Sequence, residues 1–159
     1  MKQHSYTATV EWTGNRGTGT DHYKNYERSH RIVIDGKAAI EGSSDPAFLG
    51  DPAKHNPEDL LLTSLSSCHM LWYLHFCSVH KIIVEEYVDK ATGIMIEEES
   101  GKGYFKEVTL NPSVRVKDSA MIALAIELHH KANEYCFIAN SVNFPVLHRP
   151  QVTASTSQK

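Results

Sequence analysis

The segment between residues 58 and 81 constrains the fold more than any other part of the sequence. It contains neither Gly nor Pro, and its apolar side chains occupy most helical faces. A helix that is hydrophobic on nearly all sides is buried near the centre of a protein. Asn56 is suited to cap this helix and Pro57 to occupy its first position. Glu58 and Asp59 then place acids in the first turn, where the helix dipole favours them.

Extended segments surround this helix on both sides. Alternating or Val/Thr-rich stretches predict strands, Asp35-Gly36 predicts a tight turn between two of them, and Asp118-Ser119 predicts the start of a second helix. The predicted order, β-β-α-β-β-β-α-β, lacks a strict βαβ repeat and therefore favours an α+β fold. A loop at 42–57 contains three prolines, and loops of this length are usually functional. The strands are predicted within 5–14, 30–42, 82–98, 103–116 and 141–154, and the second helix within 119–139.

Composition excludes several classes of protein. The 159 residues include 16 Lys and Arg against 19 Asp and Glu, and the resulting charge of −3 provides no basic surface for nucleic acid. No apolar run approaches the roughly 18 residues that a membrane span needs. Three cysteines are too few for a secreted disulfide framework. We therefore expect one cytoplasmic domain, residues 1–159, that binds neither nucleic acid nor a membrane.

The three cysteines differ in the chemistry that their positions allow. Cys68 and Cys77 are nine residues apart on the predicted helix, so they point to opposite faces and cannot form a disulfide. Cys77 has apolar neighbours, which favours a packing role. Cys136, near the end of the second helix, is the permitted partner of Cys68, and such a pair suits redox chemistry. Core packing is nevertheless the ordinary role of a free cysteine, so spacing alone is weak evidence for a dithiol site.

A reactive thiol also needs a cation that lowers its pKa. The candidates are Arg16, in the first turn, and Arg28, before the second strand. Glu58 is the acid placed to hold such an arginine, although a helix-dipole role is the more ordinary interpretation. On one unbroken helix, Glu58 and Cys68 would be separated by about 15 Å of rise. Either the long arginine side chain, a bend in the helix or a second subunit would then have to join them.

The ten histidines raise the question of a metal site. His69 follows Cys68 directly, and His129 and His130 are adjacent. None of these arrangements has the i, i+4 helical pair or the C-x-x-C spacing of a zinc site. We therefore expect the histidines to lie on solvated or partly buried faces, with metal binding as the less favoured alternative.

Residues 56–69, NPEDLLLTSLSSCH, resemble the N-P-E-x-L-x-x-x-x-x-x-x-C signature of the OsmC/Ohr family. That family comprises osmotically inducible protein C and the organic hydroperoxide resistance proteins. A second cysteine, in KANEYCFIANSVNFPV, falls where the family has its second cysteine, and the WTG…GT turn near the start is also similar. The resemblance extends over nearly the whole chain. One departure is Phe137, because many members have Pro after the second cysteine.

The resemblance implies an α+β fold in which two long central helices pack against curved antiparallel sheets. It also implies an intertwined homodimer with its active sites at the subunit interface, in agreement with the nearly all-round apolarity of the first helix. The implied activity is thiol-dependent reduction of hydroperoxides, preferably organic ones, without metal, haem or flavin. An external dithiol, of the dihydrolipoamide or lipoyl-protein type, would act as the reductant.

Each site residue is assigned by its place in the family pattern. The resemblance implies that Cys68 attacks the peroxide, that Cys136 resolves the product as a Cys68–Cys136 disulfide, and that Glu58 holds the catalytic arginine. Arg28 is favoured for that arginine over Arg16, because YKNYERSH matches the branch that this chain resembles most. A non-catalytic stress-response or small-ligand-binding module on the same fold is the alternative function.

Overall fold

The computed structural model describes residues 1–155, which form two compact units, 1–61 and 62–155. The first unit contains an antiparallel sheet in the order β1-β2-β3. Its strands are β1 (Thr9–Trp12), β2 (His30–Val33) and β3 (Ile40–Gly42). Gly36 has a φ of 72° in the turn between β2 and β3. This left-handed conformation suits glycine, and it confirms the predicted turn.

The proline-rich loop at 42–57 is itself folded. The Ser43 N–H donates to the His55 carbonyl at 2.9 Å, which ties the two ends of the loop together. Inside the loop, the Asp51 N–H donates to the Ser43 hydroxyl at 3.0 Å, and Pro46–Phe48 form a 3-10 turn. Side chains and backbone groups of the loop therefore satisfy one another, as in a compact surface loop.

Helix α1 (Pro57–Val79) begins where the sequence predicts. The Asn56 side chain accepts from the Asp59 N–H at 2.8 Å, which confirms Asn56 as the cap. The helix runs for 23 residues without interruption. No helix within residues 1–155 is both long enough and apolar enough to span a bilayer.

The second unit contains two three-stranded sheets and helix α2 (Ile122–Tyr135). One sheet has the order β4-β7-β9 and the other β5-β6-β8. The strands are β4 (Val84–Asp89), β5 (Thr92–Glu97), β6 (Gly103–Leu110), β7 (Pro112–Val116), β8 (Val146–His148) and β9 (Gln151–Ala154). β4 and β5 follow each other in the sequence but belong to different sheets, and so do β6 and β7, which are separated by Asn111. The Asp89 carboxylate, at the end of β4, accepts a hydrogen bond from the Asn111 N–H at 2.7 Å and so links the two points at which the chain changes sheet.

Both sheets of the second unit are mixed, so the expectation of purely antiparallel sheets is wrong. β8 runs parallel to β6, and β9 runs parallel to β7. The physical reason is the long connection through α2. Such a crossover carries the chain back to the start of the sheet, so the next strand can run parallel to an earlier one. The second helix is also shorter than predicted. It ends at Tyr135, because Cys136 is extended and Ala139–Ser141 form a separate 3-10 turn.

The core of the second unit lies between α1, α2 and the β4-β7-β9 sheet. Cys77 is 1% exposed within this core, and burial raises the pKa of its thiol. Its packing role therefore agrees with the prediction from its apolar neighbours. The buried residues of this core are Tyr73, Phe76, Cys77, Ile82, Val114, Val116, Ala125, Leu128 and Ala132.

Two histidines are fully buried, so the expectation of solvated or partly buried faces is wrong for them. His69 and His129 share a hydrogen bond between Nε2 and Nδ1 at 3.0 Å. The His129 ring stacks on Tyr73 with centroids 3.8 Å apart. His148, 5.7 Å from the His69 ring, pairs in turn with the exposed His130 at 3.1 Å. One nitrogen of each of these rings is paired, which offsets part of the cost of burial, while His69 Nδ1, His129 Nε2 and His148 Nδ1 are buried with no hydrogen-bond partner in the structure.

Acid should destabilise the fold through the His69–His129 pair. Burial lowers the pKa of His69 to about 4 and that of His129 to about 3, below the value of about 6.5 in an unfolded chain. The stabilising contribution is therefore complete above pH 6.5 and is lost as the pH falls toward 4. We expect the free energy of unfolding to fall by about 1.4 kcal/mol per pH unit for each histidine in this window.

Urea denaturation at several pH values between 7.5 and 4.5 measures this loss. The double variant His69→Gln/His129→Gln should show a flatter pH profile, whereas His75→Gln, on the exposed side of α1, should retain the wild-type slope. Equal slopes in the double variant and the wild type would show that these histidines are not responsible.

Candidate dithiol site

Two helices bring Cys68 and Cys136 together. Cys68 lies near the middle of α1 and is half-buried, while Cys136 directly follows α2 and is 1% exposed. Both are free thiols, and Cys68 is near enough to Cys136 to contribute to the raised pKa of its thiol. The structure therefore brings together the pair that helix geometry permits, 68 residues apart in the sequence.

Backbone groups surround the Cys136 thiol. The Ala139 N–H donates to Cys136 Sγ at 3.4 Å, and the amide of Ile138 also interacts with the sulfur. Burial, the largest influence, and the neighbouring Cys68 raise the pKa of Cys136 to about 11, although the two amides act in the opposite direction. Cys136 is therefore a protonated thiol at neutral pH.

An aromatic cluster adjoins the two thiols. Trp72 lies one turn after Cys68 on α1, and its ring contacts Tyr135 and Phe137 with centroids 5.4 and 5.5 Å apart. Phe137 is 65% exposed, so it packs on Trp72 from the solvent side. An open, largely apolar cleft of about 290 Å³ borders the Trp72 ring. Such a surface can accommodate an apolar group beside Trp72.

In the first unit, Arg28 is fixed by aromatic rings and carbonyl groups. Its guanidinium donates to the Tyr26 carbonyl at 2.6 Å and to the Tyr23 carbonyl at 2.7 Å. The same group lies 4.2 Å from the centroid of the Tyr26 ring and 4.3 Å from that of Tyr23, both within cation–π range. Among residues 1–155, Arg28 forms no ion pair with a carboxylate. Its charge is therefore positioned without being neutralised.

Arg16, the other candidate, pairs with Glu27 at 2.8 Å. This contact lowers the pKa of Glu27. The WTG motif explains why the two side chains meet. The Trp12 indole donates to the Glu27 carbonyl at 2.8 Å, and a Cβ at Gly14 would lie only 1.9 Å from the same oxygen. Sequence reasoning missed Glu27, although its position just before β2 was the available signal.

Glu58 lies half-buried in the first turn of α1 and forms no ion pair within the described part of the chain. Because α1 is continuous, a break in the helix does not bring Glu58 toward Cys68. The role predicted for Glu58 stays a prediction, as does the choice of Arg28. In the same residues, 1–155, no three His, Cys, Asp or Glu side chains converge in a way that could hold a metal ion.

Solved structures share this fold. An OsmC-like protein of unknown function from Vibrio cholerae is 32% identical, with a TM-score of 0.82 over 94% of this chain and 100% of that chain. An organic hydroperoxide resistance protein from Elizabethkingia anophelis is 19% identical, with a TM-score of 0.69 over 97% of this chain and 99% of that one. Another, from Legionella pneumophila, is 17% identical, with a TM-score of 0.68 over 96% and 99%.

Family membership rests on sequence as well as on fold. No curated protein sequence is significantly similar to this chain. The family model described as OsmC-like protein, however, matches residues 50–149, well over half of the chain. The matched region includes both Cys68 and Cys136. Together with the Vibrio cholerae structure, this match confirms the resemblance seen in the sequence: the chain belongs to the OsmC/Ohr family.

Proposed function

We propose that this protein is a thiol-dependent peroxidase that reduces organic hydroperoxides to alcohols. The observation that carries the proposal is the pair of neighbouring free thiols of unequal exposure, Cys68 and Cys136. In such a pair, the accessible thiol can react with the substrate first, and the buried thiol can react with the oxidised product afterwards. Family membership supports a role in peroxide-stress defence, and the apolar cleft beside Trp72 supports an organic substrate.

The reaction proceeds in three steps. The Cys68 thiolate attacks the outer peroxide oxygen and the O–O bond breaks, which forms a sulfenic acid on Cys68. The departing alkoxide takes a proton from water and leaves as the alcohol. The Cys136 thiol then loses its proton as its sulfur attacks the Cys68 sulfur; the S–S bond forms, the S–O bond breaks, and the departing hydroxide combines with that proton to give water. An external dithiol, of the dihydrolipoamide or lipoyl-protein type, restores both thiols by exchange. No metal, haem or flavin takes part in the proposed cycle.

Arg28 supplies the positive charge in this proposal. A cation near Cys68 favours the thiolate and polarises the peroxide. Arg28 is the better candidate because Glu27 already pairs with Arg16, whereas only carbonyls and π faces hold Arg28. Glu58 orients the arginine, either through the length of the arginine side chain or in a site completed by a second subunit.

A homodimer with active sites at the subunit interface accompanies this mechanism. The support is a set of apolar side chains on the second unit that are exposed to solvent in the single chain. Leu71, Val79 and Ile83 are 63%, 61% and 57% exposed. Burial of such a surface by a second copy of the chain favours association. Cyclic symmetry would then give two equivalent sites.

One observation favours the alternative, a non-catalytic stress-response or small-ligand-binding module. A buried Cys136 whose pKa is raised to about 11 has the properties of an inert packing thiol. The test is consumption of cumene hydroperoxide by the purified protein with dihydrolipoamide or dithiothreitol. Turnover supports the peroxidase, and its absence with every dithiol supports the module.

Cysteine substitutions should separate the roles of the three thiols. Cys68→Ser should abolish turnover, because the attacking sulfur is lost. Cys136→Ser should allow one oxidation and then stop at the sulfenic acid or a more oxidised form. Cys77→Ser is the control and should retain activity, since Cys77 lies in the core. Steady-state peroxide consumption and intact-protein mass measure these outcomes, and full activity in Cys68→Ser would overturn the assignment.

Arginine substitutions should identify the cation. Arg28→Ala should move the pH profile of Cys68 alkylation by iodoacetamide upward by about one to three pH units, the range over which an adjacent opposite charge shifts a pKa. Arg16→Ala is the matched control and should leave the profile in place. If Arg16→Ala moves the profile and Arg28→Ala does not, Arg16 is the catalytic arginine.

Sedimentation at micromolar concentration tests the oligomeric state. We expect a dimer whose interface exceeds roughly 2,000 Å², the class of obligate homodimers. Its thermal stability should rise with protein concentration, because such dimers often lack a stable folded monomer. A folded monomer with full activity would exclude shared active sites.

A further inference from the structure

We propose that the second unit contains a further binding site, a cleft for a small dicarboxylate on the face of the β4-β7-β9 sheet that points away from α1 and α2. The cleft has a volume of about 520 Å³. Its lining residues are Val88, Lys90, Asn111, Ser113, Arg149 and Gln151. The proposal does not depend on the peroxidase function, because Cys68 and Cys136 lie on or next to the helices that cover the other face.

Strand register explains why these six side chains share one face. Each of the strands β4, β7 and β9 contributes or adjoins two of them, and the two are separated by one residue in the sequence. Because side chains alternate between the faces of a strand, such residues point the same way. Val88 pairs with Ser113, which pairs with Gln151, so these three residues form one row across the sheet. The second row lies just beyond the strand ends and consists of Lys90, Asn111 and Arg149.

Hydrogen bonds to the backbone hold this second row together. The Asn111 side-chain amide donates to the Lys90 carbonyl at 3.0 Å, and the Arg149 N–H donates to the Leu110 carbonyl at 2.9 Å. Asn111 therefore lies between the two cations. Neighbouring strands are about 4.8 Å apart, so the backbones of Lys90 and Arg149 are separated by roughly 10 Å. The two positive charges therefore approach the cleft from opposite sides.

No carboxylate in the described part of the chain neutralises either cation. Lys90 and Arg149 are both exposed, and neither forms an ion pair within residues 1–155. The whole protein carries a charge of −3, so its overall field does not attract anions. The attraction of this cleft for an anion is therefore local.

The acids closest to the cleft are engaged elsewhere. Asp89 points to the opposite face of the sheet, where its carboxylate accepts from the Ser66 hydroxyl of α1 and from the Asn111 N–H. Glu86 lies on the same face as the cleft, one row further along the sheet, and pairs with Arg115 at 2.6 Å. Neither carboxylate is therefore free to repel an anion in the cleft.

The middle of the cleft is uncharged. Ser113 and Gln151 are exposed and supply a hydroxyl and an amide, while Val88, which is 55% exposed, supplies an apolar surface. Arginine binds a carboxylate through two parallel hydrogen bonds, and lysine binds one as a point charge. A ligand that matches this pattern has one carboxylate at each end and a short apolar chain between them. These are the properties of a short-chain dicarboxylate.

Titration of the full-length protein with succinate or adipate tests the site. The measurement is two-dimensional NMR of the backbone amides at pH 7 and low ionic strength, which limits screening of exposed charges. We expect shifts centred on residues 88–90, 111–113 and 149–151. Butyrate has one carboxylate and should bind about tenfold more weakly than the better dicarboxylate, as for loss of one hydrogen bond between charged groups. Phosphate, whose charge is concentrated on one group, should also bind more weakly.

Charge-removing variants identify the cations. Lys90→Gln and Arg149→Gln should each weaken dicarboxylate binding about tenfold, by the same reasoning. Lys106→Gln is the matched control, because it removes an equal charge from an exposed side chain of β6 that does not line the cleft. Ser113→Glu places a carboxylate in the middle of the cleft and should abolish binding.

Three results would overturn the inference. The first is that neither dicarboxylate binds more tightly than butyrate. The second is that Lys106→Gln weakens binding as much as Lys90→Gln does, which would indicate a general effect of charge. The third is that phosphate binds more tightly than both dicarboxylates, because a single centre of charge would then be preferred to two separated ones.

Discussion

The packing of α1 against α2 is the constraint on which the second unit depends, because each helix buries a histidine that hydrogen-bonds to the histidine of the other. His69 meets His129, and Cys68 neighbours Cys136. A buried donor or acceptor that lacks its partner costs about 1–3 kcal/mol. Sliding one helix along the other would therefore break the hydrogen bond that joins the two buried imidazoles. The histidine pair therefore favours one register of the two helices, and in that register Cys68 and Cys136 are neighbours.

The two arginines of the first unit, Arg16 and Arg28, differ in whether a carboxylate neutralises their charge. Arg16 forms an ion pair with Glu27, and both side chains are exposed to solvent. Arg28 instead directs its N–H groups to the carbonyls of Tyr23 and Tyr26, while the rings of the same residues cover its faces. A planar guanidinium can make both kinds of contact at once. Partial charges hold Arg28 in place, so no carboxylate among residues 1–155 neutralises its charge.

Features with local causes were predictable from the sequence. Asn56 and Pro57 are residues that favour a helix start, and they mark the start of α1. Gly36 is a residue that readily adopts a positive φ, and it forms the turn between β2 and β3. Pairing between distant segments was not predictable in the same way. The parallel strands of both sheets and the burial of His129 depend on partners far away in the sequence. The proximity of Cys68 and Cys136 could be predicted only as a possibility, since helix geometry excludes Cys77 but does not bring the two helices together.

Phe137, which stands where many family members have Pro, is compatible with the same local backbone. A proline there would favour an extended conformation at the preceding residue. Cys136 already has a φ of −67° and a ψ of 109°, and hydrogen bonds support this conformation. The Asn140 N–H donates to the Cys136 carbonyl at 3.0 Å, and the Ala139 N–H donates to Cys136 Sγ. Because these bonds orient the thiol without a proline ring, position 137 is free to carry an aromatic side chain that packs on Trp72 beside the dithiol.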